Sequence, residues 1–117
     1  MRRGDIYFIH MPQTGENSCE QGYRPVVVVS SNKGCDTCDA IMVCPITTQR
    51  KPLSCNVEID WTIDNRPSQV LCNQVTTVPK DILVDYKGFL RLDEQRKISI
   101  ALLISLGIKV NYNEVRL

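Results

Sequence analysis

A single histidine among 117 residues removes whole classes of chemistry from this chain. A nuclease built on two histidines is excluded, and a Ser-His-Asp hydrolase is disfavoured because His10 falls in the middle of a strand-like run. No glycine-rich phosphate loop, paired-carboxylate metal site or zinc-hydrolase signature occurs. No apolar run approaches the roughly 18 residues needed to span a bilayer. Met1-Arg2-Arg3-Gly4-Asp5 leads into a short strand rather than the apolar core of an export signal, so the expected location is the cytoplasm and no membrane partner is expected. The net charge is only +1 with both signs interspersed, so a polyanionic partner would have to be held by local charges.

Cysteine is not scarce: there are six, Cys19, Cys35, Cys38, Cys44, Cys55 and Cys72. In a reducing compartment they stay thiols. Cys35-Asp36-Thr37-Cys38 is the close pair, in a loop marked by Asn32-Lys33-Gly34. A zinc knuckle would need a second close pair or histidines that the chain lacks. Incidental thiols are the main expectation, with structural zinc and a redox switch as the alternatives, and no cofactor is expected.

The chain is long enough for one domain, expected over residues 1–110, with 111–117 a loose tail. Its centre is Arg24-Pro25-Val26-Val27-Val28-Val29-Ser30-Ser31. Four consecutive valines predict a strand buried on both faces. Pro25, with no N–H to give a ladder, belongs at the strand's first position and holds Arg24 at its mouth. Residues 5–11 alternate as a first strand, with Ile6, Phe8 and His10 on one face and Tyr7 and Ile9 on the other. A functional loop is expected over 12–23. Further strands are expected over 40–46, 55–60 with Val57 and Ile59 inward, and 68–78. Residues 61–67 read as a turn region, Pro79 opens one helical turn, and 83–90 adds a short strand interrupted by Gly88. A last helix is expected from an N-cap at Asp93 to Gly107, apolar nearly all round and therefore covered by the sheet or by a second copy. Many short strands and one terminal helix predict a mainly β fold, a small curled antiparallel sheet or barrel.

Two spots carry chemistry. Arg24 stands at one strand mouth, placed to meet an anion or to pair with Glu16 or Glu20. The second spot is Pro45-Ile46-Thr47-Thr48-Gln49-Arg50-Lys51, where an apolar strand gives way to hydroxyls, an amide and two cations. If those strands pair, Arg24 and Thr47 face each other. Such a pair suits a reaction whose main need is electrostatic: cleavage of RNA by its own 2′-hydroxyl, in which the phosphorane gathers negative charge. Arg24 would neutralise that charge and Thr47 would add a hydrogen bond. Arginine is too weak an acid for efficient proton donation, and Glu16 and Glu20 are the candidates for a base.

In order along the chain, Arg3-Gly4-Asp5-Ile6-Tyr7, Arg24-Pro25-Val26-Val27-Val28, Pro45-Ile46-Thr47-Thr48-Gln49, Val57-Glu58-Ile59, Gln74-Val75 and Ala101-Leu102 to Ser105-Leu106-Gly107 resemble the MazF/PemK family of toxin endoribonucleases. The resemblance implies an SH3-like antiparallel β-barrel with a C-terminal helix, working as a homodimer. It implies metal-independent, sequence-specific cleavage of single-stranded mRNA to a 2′,3′-cyclic phosphate and a 5′-hydroxyl, and a cognate antitoxin that blocks the RNA groove. It puts catalysis on Arg24 and Thr47 and RNA binding on Glu16, Glu20, Tyr23, Thr48, Gln49, Arg50, Lys51, Asn73 and Gln74. The sequence departs from the family at the loop between Glu20 and Arg24, which is one residue short. It departs again at Asn73, where an acidic residue is usual, and at Thr76, where a basic one is common. An altered base preference is expected. The competing reading is a non-catalytic toxin on the same barrel that acts by docking, as gyrase inhibitors do.

Overall fold

The four-valine run is the middle of the sheet. In a computed structural model, which describes residues 1–11, 22–49, 55–109, 111 and 113, strand β2 (Tyr23–Val28) lies between β1 (Asp5–His10) and β3 (Ala40–Thr47). Val27 and Val29 enter one apolar cluster with Ile6, Cys44, Ile46, Val57, Ile59 and Val70. Val26 and Val28 enter another with Tyr7, Ile9, Ile41 and Val43. Both faces of the run are thus buried, as β-branched side chains on a central strand require. Pro25 is the third residue of β2, not the first. It is tolerated because the pairing of β2 with β3 begins only at Val26↔Pro45.

The remaining elements are α1 (Asn32–Thr37), β4 (Asn56–Ile63), β5 (Arg66–Leu71), β6 (Thr76–Pro79), a 3-10 turn (Lys80–Ile82), β7 (Asp85–Phe89) and α2 (Leu92–Ser105). All pairings are antiparallel, in the order β4-β5-β3-β2-β1-β7, with β6 on β3. The sheet curls into a half-barrel. Helix α2 covers the first cluster through Ile98, Ala101 and Leu102; α1 and the 3-10 turn cover the second through Cys35, Ile82 and Leu83.

Four local expectations are corrected. The Cys35/Cys38 segment is a helix rather than a loop: the Ser31 hydroxyl accepts from the Gly34 N–H at 3.1 Å and starts α1. Cys35 turns into the core and Cys38 out to solvent, so the two thiols diverge. The turn expected over 61–67 shrinks to Asp64-Asn65, both at positive φ (52° and 62°), a two-residue hairpin whose handedness matches the strand twist. The strand expected over 68–78 divides in two, because β3 takes β6 along Ala40 to Val43 and β5 at Ile46 and Thr47. Finally, α2 begins after Arg91, not Asp93. Asp93 instead binds the Arg91 guanidinium (3.0 Å), while the buried Glu94 carboxylate accepts the N–H of Arg91 (3.1 Å) and of Asp60 (2.8 Å).

Gly107 closes α2 at φ +71°, as expected from its place. The helix is covered by the sheet on one side alone; Ile104 and Leu106 remain exposed. Cys44 and Cys72 meet inside the first cluster, where their mutual hydrogen bond and then burial push the Cys44 thiol far above the ordinary thiol range. Most of the 111–117 tail lies outside the described residues. Among those described, no helix is long and apolar enough to cross a membrane.

Candidate functional site

Antiparallel pairing brings the start of β2 and the end of β3 to one edge of the sheet. The ladder runs Val28↔Val43, Val27↔Cys44, Val26↔Pro45 and ends there; continued by two residues, it would set Arg24 opposite Thr47. In an unbroken ladder their backbones are about 5 Å apart. Alternation also gives them one face: Val26 and Val28 share the second cluster with Val43, and Arg24 and Thr47 follow in the same rows. The two spots chosen from sequence therefore stand at one end of two adjacent, paired strands and on the same face by alternation.

The row continues across the sheet. Thr47 pairs with Gln69 of β5, and Gln69 pairs with Glu58 of β4. Thr47, Gln69 and Glu58 thus lie in a line on one face of three neighbouring strands, a hydroxyl, an amide and a carboxylate, with the Arg24 cation on the same face at the mouth of the next strand. Arg24 and Glu58 are exposed, whereas Thr47 is 5% and Gln69 9% accessible. Thr47 and Gln69 are thus recessed between two exposed charged residues. Arg24, Gln69 and Glu58 each already have an interacting neighbour. Thr47 Oγ1 accepts the Gln49 N–H at 3.1 Å, which turns the chain out of β3 and presents Thr48 half-buried and Gln49 exposed.

The other sequence-derived residues fall differently. Tyr23 adjoins Arg24 in the chain but lies on the opposite face, with its ring against Phe8 (5.3 Å between centroids) and His10 (4.9 Å). Its hydroxyl donates to the Asp85 carboxylate. That bond raises the Tyr23 phenol above its ordinary range and holds Asp85 below the usual carboxylate range, with Lys87 at 3.3 Å assisting. Asn73 and Gln74 come after β5 ends, where the Gln74 N–H returns to the Leu71 carbonyl (3.1 Å). The residue that register brings to Thr47 is Gln69. Glu16, Glu20, Arg50 and Lys51 lie outside the described residues.

Gln69 and Glu58 are the polar members of the row that motif reasoning did not select. Alternation in 56–60 and 66–71 places them outward, but a single sequence does not reveal which outward residue stands beside Thr47.

This architecture has relatives. The family model for PemK-like, MazF-like toxins of type II toxin-antitoxin systems matches residues 2–106. A curated protein, Endoribonuclease MazF of Staphylococcus saprophyticus, is 28% identical over 113 residues, covering 92% of each chain. Among solved structures, an endoribonuclease from a Mycobacterial species superposes with a TM-score of 0.77 at 22% identity, covering 95% of both chains. MazF from Deinococcus radiodurans gives a TM-score of 0.73 at 18% identity, covering 92% of this chain and 96% of its own; these two likenesses speak for the fold. With a match over nearly its whole length, the chain belongs to the PemK-like, MazF-like toxins of type II toxin-antitoxin systems.

Proposed function

We propose that this toxin is an endoribonuclease that cuts single-stranded mRNA at the Arg24–Thr47 edge, by attack of the ribose 2′-hydroxyl on the adjacent phosphate. The observation that carries the reading is the register: the ladder that ends at Val26↔Pro45 leads to Arg24 and Thr47 on adjacent strands and one face. The nucleophile comes with the substrate. The 2′-oxygen bonds to phosphorus, the bond from phosphorus to the 5′-oxygen breaks, and the departing 5′-oxygen takes a proton from solvent water, so the products are a 2′,3′-cyclic phosphate and a 5′-hydroxyl. Arg24 neutralises the charge gathered on the phosphorane oxygens. Thr47, its oxygen held by the Gln49 amide, directs its own O–H toward the same group. A carboxylate takes the 2′ proton; Glu16 and Glu20 are the candidates from sequence, and Glu58 is the one within the row. Single glutamine substitutions separate the three.

The relatives support the wider setting. One solved relative, at a TM-score of 0.77 and 23% identity, is an endoribonuclease in complex with its cognate antitoxin from a Mycobacterial species, so a cognate antitoxin is the expected protein partner. The uncovered side of α2, with Ile104, Leu106 and Ile108 exposed, is the surface on which a second copy would close a homodimer. The single domain runs over 1–110, and its place of action is the cytoplasm, where mRNA is.

The test is incubation of the purified protein with a long transcript in EDTA, followed by sequencing of product ends. Discrete fragments with 5′-hydroxyl and 2′,3′-cyclic phosphate termini support the reading and give the recognised bases. Intact RNA together with inhibition of DNA gyrase would replace it with the docking reading.

A further inference from the structure

The face opposite Arg24 is unusual in how its apolar rows end. On β1, Ile6 is followed on the same face by Phe8 and His10; on β2, Val27 leads back to Tyr23; on β4, Val57 and Ile59 lead to Trp61. Three inward rows therefore finish in aromatic rings at one edge of the half-barrel. The rings touch in sequence: His10 to Tyr23 at 4.9 Å, Tyr23 to Phe8 at 5.3 Å, and Phe8 to Trp61 at 6.3 Å.

We propose that His10, Tyr23, Phe8 and Trp61 form a stacking platform for unpaired bases of an RNA strand whose scissile phosphate lies round the rim at Arg24. This rests on the endoribonuclease reading and names how the substrate is held beyond the reacting phosphate. Neighbouring rings are tilted by 44–55°, so they offer separate π-faces to splayed bases rather than one continuous stack. Tyr23 is 47% accessible and His10 exposed, whereas rings serving only to plug the barrel would be covered. Their orientation is fixed in advance. The Tyr23 hydroxyl is tied to Asp85, and the Trp61 indole N–H donates to the Lys87 carbonyl at 3.2 Å. Gly88 leaves room for that indole: a Cβ there would stand 3.2 Å from Trp61 Nε1, at a φ of +141° that disfavours side chains. Rings held this way lose little freedom when a base lands on them. Because Tyr23 and Arg24 are consecutive residues at the start of β2, a strand bound on the rings has to pass only the end of that strand to reach the guanidinium on the other face.

Trp61 is the chain's single tryptophan, so its fluorescence reports on the platform directly. The probe is a mixed-sequence RNA oligonucleotide 2′-O-methylated throughout, which cannot be cut, beside an abasic oligonucleotide of equal length. The oligonucleotide with bases should quench Trp61 and the abasic one should not. Tyr23→Leu should weaken binding about 5- to 100-fold, the range for a lost base-aromatic stack, and Tyr23→Phe should bind within about threefold of wild type, consistent with a ring contact. Equal quenching by the abasic oligonucleotide, or wild-type binding by Tyr23→Leu, overturns the platform. Transcript cleavage by the wild-type protein is read separately. Cleavage that is indifferent to Tyr23→Leu sinks the platform and leaves the nuclease; Tyr23-dependent quenching without cleavage keeps the platform and sinks the nuclease.

Discussion

Tyr23 and Arg24 are neighbours in the chain and belong to different worlds. Arg24 stands in a row of polar groups, Arg24, Thr47, Gln69 and Glu58, two of them nearly buried. Tyr23 stands in a row of rings, touching Phe8 and His10. Three residues further into the strand, at Val26 and Val27, the contrast has gone, and both faces carry buried valine. A central strand buried on both sides is uninformative along its middle, because packing alone decides its residues. Its end is where the two faces are released from the core and each can take up its own chemistry. For an RNA strand the two demands are separable: charge neutralisation at a phosphate, and π-contact to bases.

That separation is best broken from the polar side. Arg24→Ala should lower single-turnover cleavage by about 10²–10³-fold, the loss typical of one donor to a developing oxyanion, while thermal melting stays unchanged because the residue is exposed. Cleavage within about threefold of wild type would remove Arg24 from the site. Next in size is Thr47→Ala, expected at about 10–10² in the same assay because the hydroxyl adds one hydrogen bond. Thr47→Ser should restore most of the rate. A larger loss in Thr48→Ala than in Thr47→Ala would mean that the wrong hydroxyl has been placed in the row.

A third substitution tests whether the row depends on the support behind it. Glu94 is buried and holds the Arg91 and Asp60 amides, tying the start of α2 to β4. Glu94→Ala should cost about 2–4 kcal/mol in denaturant unfolding, from two charge-assisted hydrogen bonds and two orphaned donors. The variant should keep its cleavage rate wherever it remains folded. A rate that falls before stability does would couple α2 to Glu58 and its neighbours.

How far this could be foreseen depends on which physical rule speaks locally. Alternation is a strong signal where one face must be buried, and so the facing of β1 and the two-sided burial of Val26 to Val29 were readable before any coordinates. Strand ends were less so. Asp64-Asn65 makes a tight hairpin without glycine, so the surrounding residues looked like a longer turn. The 68–78 segment looked continuous because nothing in its letters says that β3 changes partner between Val43 and Ile46. Thr47 and Arg24 were identifiable as reactive types, and their adjacency followed once β2 and β3 paired. Gln69 and the ring row were invisible for a common reason: both depend on register between segments far apart in sequence, which no local pattern encodes.

The smallest effect bears on the ring side. The Tyr23 hydroxyl donates to Asp85, raising the phenol and lowering the carboxyl from their ordinary values. For Asp85, a depressed folded pKa means that its stabilisation is present above the unfolded value of about 3.9 and is lost as pH falls through the lower folded value. For Tyr23 the sign is reversed: the raised folded pKa means stabilisation that is complete below about 10 and disappears as pH rises through the higher folded value. Asp85→Asn removes the charge and most of the bond. The phenolate absorbance of Tyr23, isolated by subtracting a Tyr23→Phe titration, should then move down toward the ordinary range. The same variant should bind the uncut oligonucleotide slightly more weakly, because an untethered ring must be ordered by the base it meets. A phenol that titrates identically in both proteins would mean that Asp85 does not hold the ring, and that the platform's rigidity comes from Phe8 and Trp61 alone.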